Sequence, residues 1–148
     1  MKKLKLISIL SLLFVLNVAS MCSDDDDTST QVSNPTEIAS TLADGQWIVT
    51  LYKENDVVQT SNYSSYNFTF GVDGALSATN GSTTQSGDWS TYTDSGYTKL
   101  DMMFTALDGP FEEISEDWRV ISRTTTKIEL KHISGGDGST DYLTFEKD

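Results

Sequence analysis

The chain predicts an all-β domain, an eight-stranded, mostly up-and-down antiparallel barrel with one short N-terminal helix. Three observations carry this expectation. Beyond Gly45, short runs alternate apolar and polar residues with a period of two, as half-buried strands do. Turn signals separate these runs at regular spacing, and ten glycines against two prolines, Pro35 and Pro110, suit many short strands joined by tight turns. No fixed repeat and no heptad pattern competes with that reading. A meander of this strand count must hide its edges, and closing into a barrel does so most simply; a seven- or eight-stranded sandwich is the alternative.

The helix comes first. Asn34 can cap it, Pro35 sets φ at the first helical position, Ile38, Ala39 and Leu42 share a face, and Asp44-Gly45 ends it. In the strand from about 46 to 54, Trp47, Val49 and Leu51 fall on one face and Ile48, Thr50 and Tyr52 on the other. Residues 66–70 alternate strictly, and Val72-Asp73-Gly74 turns them into a strand over 75–80. Asn80-Gly81 makes the next turn and 87–92 the next strand. Residues 98–105 put Leu100, Met102 and Phe104 on one face and Lys99, Asp101 and Met103 on the other. After Asp108-Gly109-Pro110, the acidic segment 111–116 reads as a helical turn or a lid-like loop. Trp118 to Ile121 starts a strand, and Ile128, Leu130 and His132 share a face of the one after it. Gly135-Gly136-Asp137-Gly138 then turns into 141–147, where Leu143 and Phe145 share a face.

The first residues carry an address. Lys2, Lys3 and Lys5 precede a mostly apolar run over 6–18, the layout of a secretory signal occupying residues 1–21. The run is too short for the ~20 residues that span a bilayer core. Ala19-Ser20-Met21-Cys22 resembles a bacterial lipobox, with Met21 where Gly or Ala is usual. The resemblance implies that Cys22 is diacylated on its thiol and acylated on its amine after cleavage, so that the membrane is a partner through this anchor. One chain holds only reversibly, whereas two or three hold stably. Cys22 is the only cysteine, which leaves no intramolecular disulfide.

Residues 22–34 form an acidic, polar tether, in which Asp24, Asp25, Asp26 and Asp27 repel one another and stay solvated. Ser23 with these four acids also resembles the surface-export signal of Bacteroidota-type lipoproteins. That implies the outer leaflet of the outer membrane, with a periplasm-facing lipoprotein as the alternative. Three of the ten basic residues and none of the 22 acids precede Met21, so residues 22–148 carry seven basic residues and a net charge of −15. Such a chain repels nucleic acid. The remaining 35–148 is the size of one small domain.

Gly45-Gln46-Trp47 after a short helix resembles the Gly-x-Trp opening of lipocalin-like proteins. "FTFGVDGAL", "GDW", "LDMMF" and "DWRVI" are similar to the lipocalin-like domains of Bacteroidota lipoproteins, over roughly 36–148. The resemblance implies that Trp47 packs across the closed end of the barrel, with a basic residue, Lys147 or Arg123, stacked on it. Thr140-Asp141-Tyr142 matches a motif of the same family, but two strands should follow it and here one does.

The chemistry of an enzyme is sparse. His132 is the only histidine, so a metal site or catalytic triad would rest on it alone. Glu112, Glu113, Glu116 and Asp117 lie in one segment, whereas opposed glycosidic carboxylates come from separate elements. The glycine-rich 135–141 resembles a calcium-binding repeat, with its aspartate one place late and a single copy, and reads as a hairpin turn. No phosphate loop or nucleophile elbow occurs. A non-enzymatic protein without cofactor or resident metal is expected. Trp47, Phe68, Phe70, Trp89, Phe104, Trp118 and Phe145 are expected to face inward. A barrel of eight strands is either filled by such side chains or holds one small ligand. If the mouth is open, Phe68, Phe104 and Trp118 line a site for a small apolar or glycan-like ligand. If it is filled, the protein meets a protein partner of the outer membrane through its loops.

Overall fold

The computed structural model describes residues 33–106 and 108–148. Cys22, Ser23 and the aspartates 24–27, with the signal segment and most of the tether, lie outside the described residues.

The helix α1 (Pro35–Leu42) precedes nine strands: β1 (Gln46–Glu54), β2 (Val57–Val58), β3 (Asn67–Phe70), β4 (Ala75–Thr79), β5 (Thr84–Asp94), β6 (Tyr97–Phe104), β7 (Asp117–Arg123), β8 (Lys127–Ile133) and β9 (Thr140–Lys147). A 3₁₀ turn, Thr60–Tyr63, follows β2, and a single helical turn, α2 (Pro110–Glu113), lies between β6 and β7. Sequential antiparallel pairing runs from β3 to β9, and β1 pairs with both β3 and β9, from Trp47 opposite Lys147 to Lys53 opposite Tyr142. That last ladder closes an eight-stranded barrel and excludes the sandwich. β2 stands outside the ring as a two-residue extension on the end of β1.

The local chemistry explains the elements. Asn34 accepts a bond from the Glu37 amide at 3.0 Å while the Glu37 carboxylate accepts from the Asn34 amide at 3.3 Å, a reciprocal cap that stabilises α1 by about 1 kcal/mol. Ile38 and Leu42 are its buried face, packed towards β5 and β6. Thr91 and Thr98 hydroxyls donate to the Pro35 and Ser33 carbonyls at 2.9 and 2.6 Å, holding the helix start against those strands. Asp94 faces Tyr97 across a two-residue turn in which Ser95 and Gly96 both have positive φ, the geometry that matches strand twist.

All seven aromatics expected inside are buried. One face is reversed. The β1–β9 register shifts between Val49 and Leu51, so the extra residue of a bulge turns Tyr52 inward and leaves Leu51 half-buried, contrary to simple alternation. β5 also begins at Thr84 rather than 87, extending the hairpin with β4.

Candidate functional site

At one end of the barrel, Trp47 is wholly buried and its indole N–H donates to the Leu42 carbonyl at 2.9 Å. Of the two basic residues considered for it, Lys147 is the one above the ring, its ammonium 5.9 Å from the centroid and paired with Asp44 at 2.7 Å. Gly45 permits this: its φ is +98°, and a Cβ there would lie 2.9 Å from Lys147 Cε. Arg123 turns to α1 instead, donating to Ser33 Oγ at 2.9 Å and Thr41 Oγ1 at 3.0 Å and pairing with Glu37 at 3.4 Å.

The other end, where β1 finishes and β7 begins, is covered from within. Phe111 of α2 reaches the rings of Phe104 and Phe68 at centroid distances of 5.0 and 6.2 Å, and Tyr66 and Tyr63 lie against it at 4.9 and 5.8 Å. The Tyr63 hydroxyl donates to the Pro110 carbonyl at 2.5 Å, so the 3₁₀ turn latches onto α2. Ile114 is fully buried, and its carbonyl accepts from the Trp118 indole at 3.0 Å. Phe68, Phe104 and Trp118 are 0, 3 and 1 % exposed. Phe68 and Phe104 touch, with centroids 6.2 Å apart, while Trp118 is linked to them through the rings of Tyr52, Tyr63 and Phe111.

This lid carries an electrostatic cost. Glu113 Oε2 is buried without a hydrogen-bond partner among the described residues. Burial first, then the carboxylates of Glu54 and Glu112, raise the Glu113 pKa above the usual glutamate range. Burial likewise pushes the Tyr52 and Tyr63 phenols up, with Glu54 and Glu113 adding to the effect, so both rings stay neutral donors.

Beside the lid, the ligating atoms of Glu116, Asp117 and His132 lie within 4.8 Å of one another. Lys99 donates to Asp117 Oδ2 at 2.9 Å and supplies the positive charge that these carboxylates need. The His132 ring packs edge-on to Trp118 at 5.9 Å, with Nδ1 3.4 Å from the Asp117 carbonyl. The arrangement is that of an ion-pair network that orders the start of β7. In the 135–141 segment, the Asp137 carboxylate accepts from the Ser139 amide at 2.9 Å, closing the β8–β9 turn on itself.

The outer wall holds residues that the sequence did not single out. Lys99 on β6, Arg119 on β7 and Lys131 on β8 are successive cross-strand partners, and Tyr92 and Tyr142 continue the row on β5 and β9. The Arg119 guanidinium lies 3.2 Å from the Tyr97 ring centroid. A cleft of about 220 Å³ opens here, lined by Tyr97, Arg119, Lys131, His132 and their neighbours. A larger groove of about 600 Å³ runs beside α1 near Arg123 and Glu37, which are committed to each other. The row was not legible because it depends on registers across four ladders, one of them bulged between Val120 and Ser122. Phe111 and Ile114, spaced i and i+3, were the available signal for the lid.

No protein-family model matches the chain, and no curated protein matches it in sequence. Among solved structures, its fold is similar to that of a DUF4847 family protein from Bacteroides vulgatus, with a TM-score of 0.51 and 14% identity over 75% of this chain and 97% of that one. At that identity the likeness is one of fold.

Proposed function

We propose that this chain is a lipid-anchored, non-enzymatic interaction module of the bacterial outer membrane, lipocalin-like in build, that works from the outside of its barrel. The observation that carries this reading is the position of Phe111: a side chain from α2 occupies the space beside Phe68 and Phe104 that an apolar ligand would take. An interior packed with rings is a scaffold, and recognition then falls to the wall and the loops.

The anchor rests on Lys2, Lys3, Lys5, the apolar run and Cys22, with Ser23 and the aspartates 24–27 favouring the cell surface. From Cys22 to Ser33 is eleven residues, a reach of at most ~40 Å. Ser33 is bonded to Thr98 and Arg123 at the Trp47 end. The described chain therefore begins at that end. The single histidine is engaged with Trp118 and Asp117, which favours a non-enzymatic role.

Two measurements test the reading. Full-length protein in its host should fractionate with the outer membrane and the Cys22→Ala variant should not; an unchanged distribution overturns the anchor. A neutral apolar dye should find no saturable site in the mature protein. One-to-one dye binding that weakens in Phe104→Ala overturns the outer-wall reading.

A further inference from the structure

We propose that the outer wall of β6–β8 binds a small sugar acid, with its carboxylate held by Arg119 and Lys131. The two residues are direct cross-strand partners, which places their Cβ atoms about 5 Å apart on one face. Among the described residues, neither forms an ion pair with a carboxylate, whereas the neighbouring charges are committed: Lys99 to Asp117, and Glu129 to Lys127 and Ser122. Two of the seven basic residues beyond the signal segment thus stand together, unpaired among the described residues, in a strongly acidic protein.

The Arg119 guanidinium is already oriented, since it stacks on Tyr97 at 3.2 Å. A fixed planar fork matches a carboxylate bidentately, and Lys131 adds a point charge. The surrounding cleft supplies partners for ring hydroxyls in the Asp94 carboxylate, the Ser95 hydroxyl and the His132 ring, with the Asp117 carboxylate held by Lys99, and an aromatic edge in Tyr97, which is 41% exposed. Its volume of about 220 Å³ lies below the ~300–1,000 Å³ of drug-sized sites, the scale of one small ring. The net negative charge of the chain disfavours a long polyanion and leaves a monoanion as the better fit.

This assignment rests on the outer-wall reading above, and the two fail separately: dye exclusion can hold while the sugar acid does not bind. The test is a titration of the mature protein with glucuronate, followed by amide chemical shifts, with glucose, glucose 6-phosphate and inorganic phosphate as parallel arms. Saturable shifts on β6–β8 with glucuronate are expected, with glucose much weaker. Arg119→Ala should weaken binding by about tenfold to a hundredfold, the range for a lost charged hydrogen bond. Lys131→Gln, at a side chain without partners among the described residues, should weaken it while leaving the fold intact. Lys127→Ala removes the same charge from the same strand and should leave binding within about twofold. Absence of saturable shifts, equal binding of glucose, preference for either phosphate, or equal binding by Lys131→Gln each overturns the proposal.

Discussion

The ring of Phe111 lies 5.0 Å from the ring of Phe104, at an interplanar angle of 68°. A residue from the β6–β7 connection is therefore part of the barrel's interior, although no strand carries it. Truncating a buried Phe costs about 3–5 kcal/mol and leaves a cavity. Phe111→Ala should lose stability on that scale in urea denaturation, and the vacated space should admit the neutral apolar dye that the native protein excludes.

Three glycines separate backbone strain from crowding. Gly81 has φ +86° and open space around it, so Ala there meets only the left-handed backbone, at about 1 kcal/mol. Gly45 adds a contact with the flexible end of Lys147 and should cost somewhat more, while pushing the ammonium off Trp47. Gly87 faces Phe104, and a Cβ would lie 2.2 Å from the Met103 carbonyl oxygen, which cannot step aside without breaking the β5–β6 ladder. Thermal midpoints should fall in the order Gly81→Ala least, Gly45→Ala next, Gly87→Ala most.

Arg123 spans Ser33, Thr41 and Glu37, tying both ends of α1 to the barrel. Arg123→Ala should cost about 1–3 kcal/mol, since it removes the charged hydrogen bonds that hold α1 to β7. Amides of α1 should exchange faster while those of β5 and β6 hold. Arg123→Lys should recover only part of the loss, because an ammonium cannot serve the fork.

Glu113 makes lid stability depend on pH. Its folded pKa is raised by burial and then by Glu54 and Glu112, so the folded protein keeps this proton to higher pH than the unfolded chain does. The destabilisation is absent below the ordinary glutamate value of about 4.3, grows as pH climbs from there to the folded pKa, and is constant above it. Glu113→Gln removes the charge, so its stability relative to wild type should be flat below about pH 4.3, improve as pH rises from there to the folded pKa, and level off above it, read from midpoints in urea.

The strands were legible where alternation survives, as in β6: Leu100, Met102 and Phe104 are buried and Met103 is exposed, as a period of two requires. Tyr52 was misplaced because a bulge adds one residue without marking it in the sequence. β2 was missed because both its valines are exposed and two residues cannot alternate. Its turn, Asn55-Asp56, has both φ values positive and was the usable signal. The burial of Phe68, Phe104 and Trp118 was readable, but not the filling of their space, because Phe111 belongs to a segment whose acidic residues outweigh its two apolar ones. Arg119 and Lys131 lie twelve residues apart, and only the β7–β8 register makes them neighbours.

Occupation of the barrel by Phe111 is the central claim, and proton–proton contacts in the mature protein measure it directly. Strong cross-peaks from the Phe111 ring to the rings of Phe68 and Phe104, with ring-current-shifted Phe111 resonances, are the expected result. Phe111 signals at random-coil positions, with those cross-peaks missing, would contradict it.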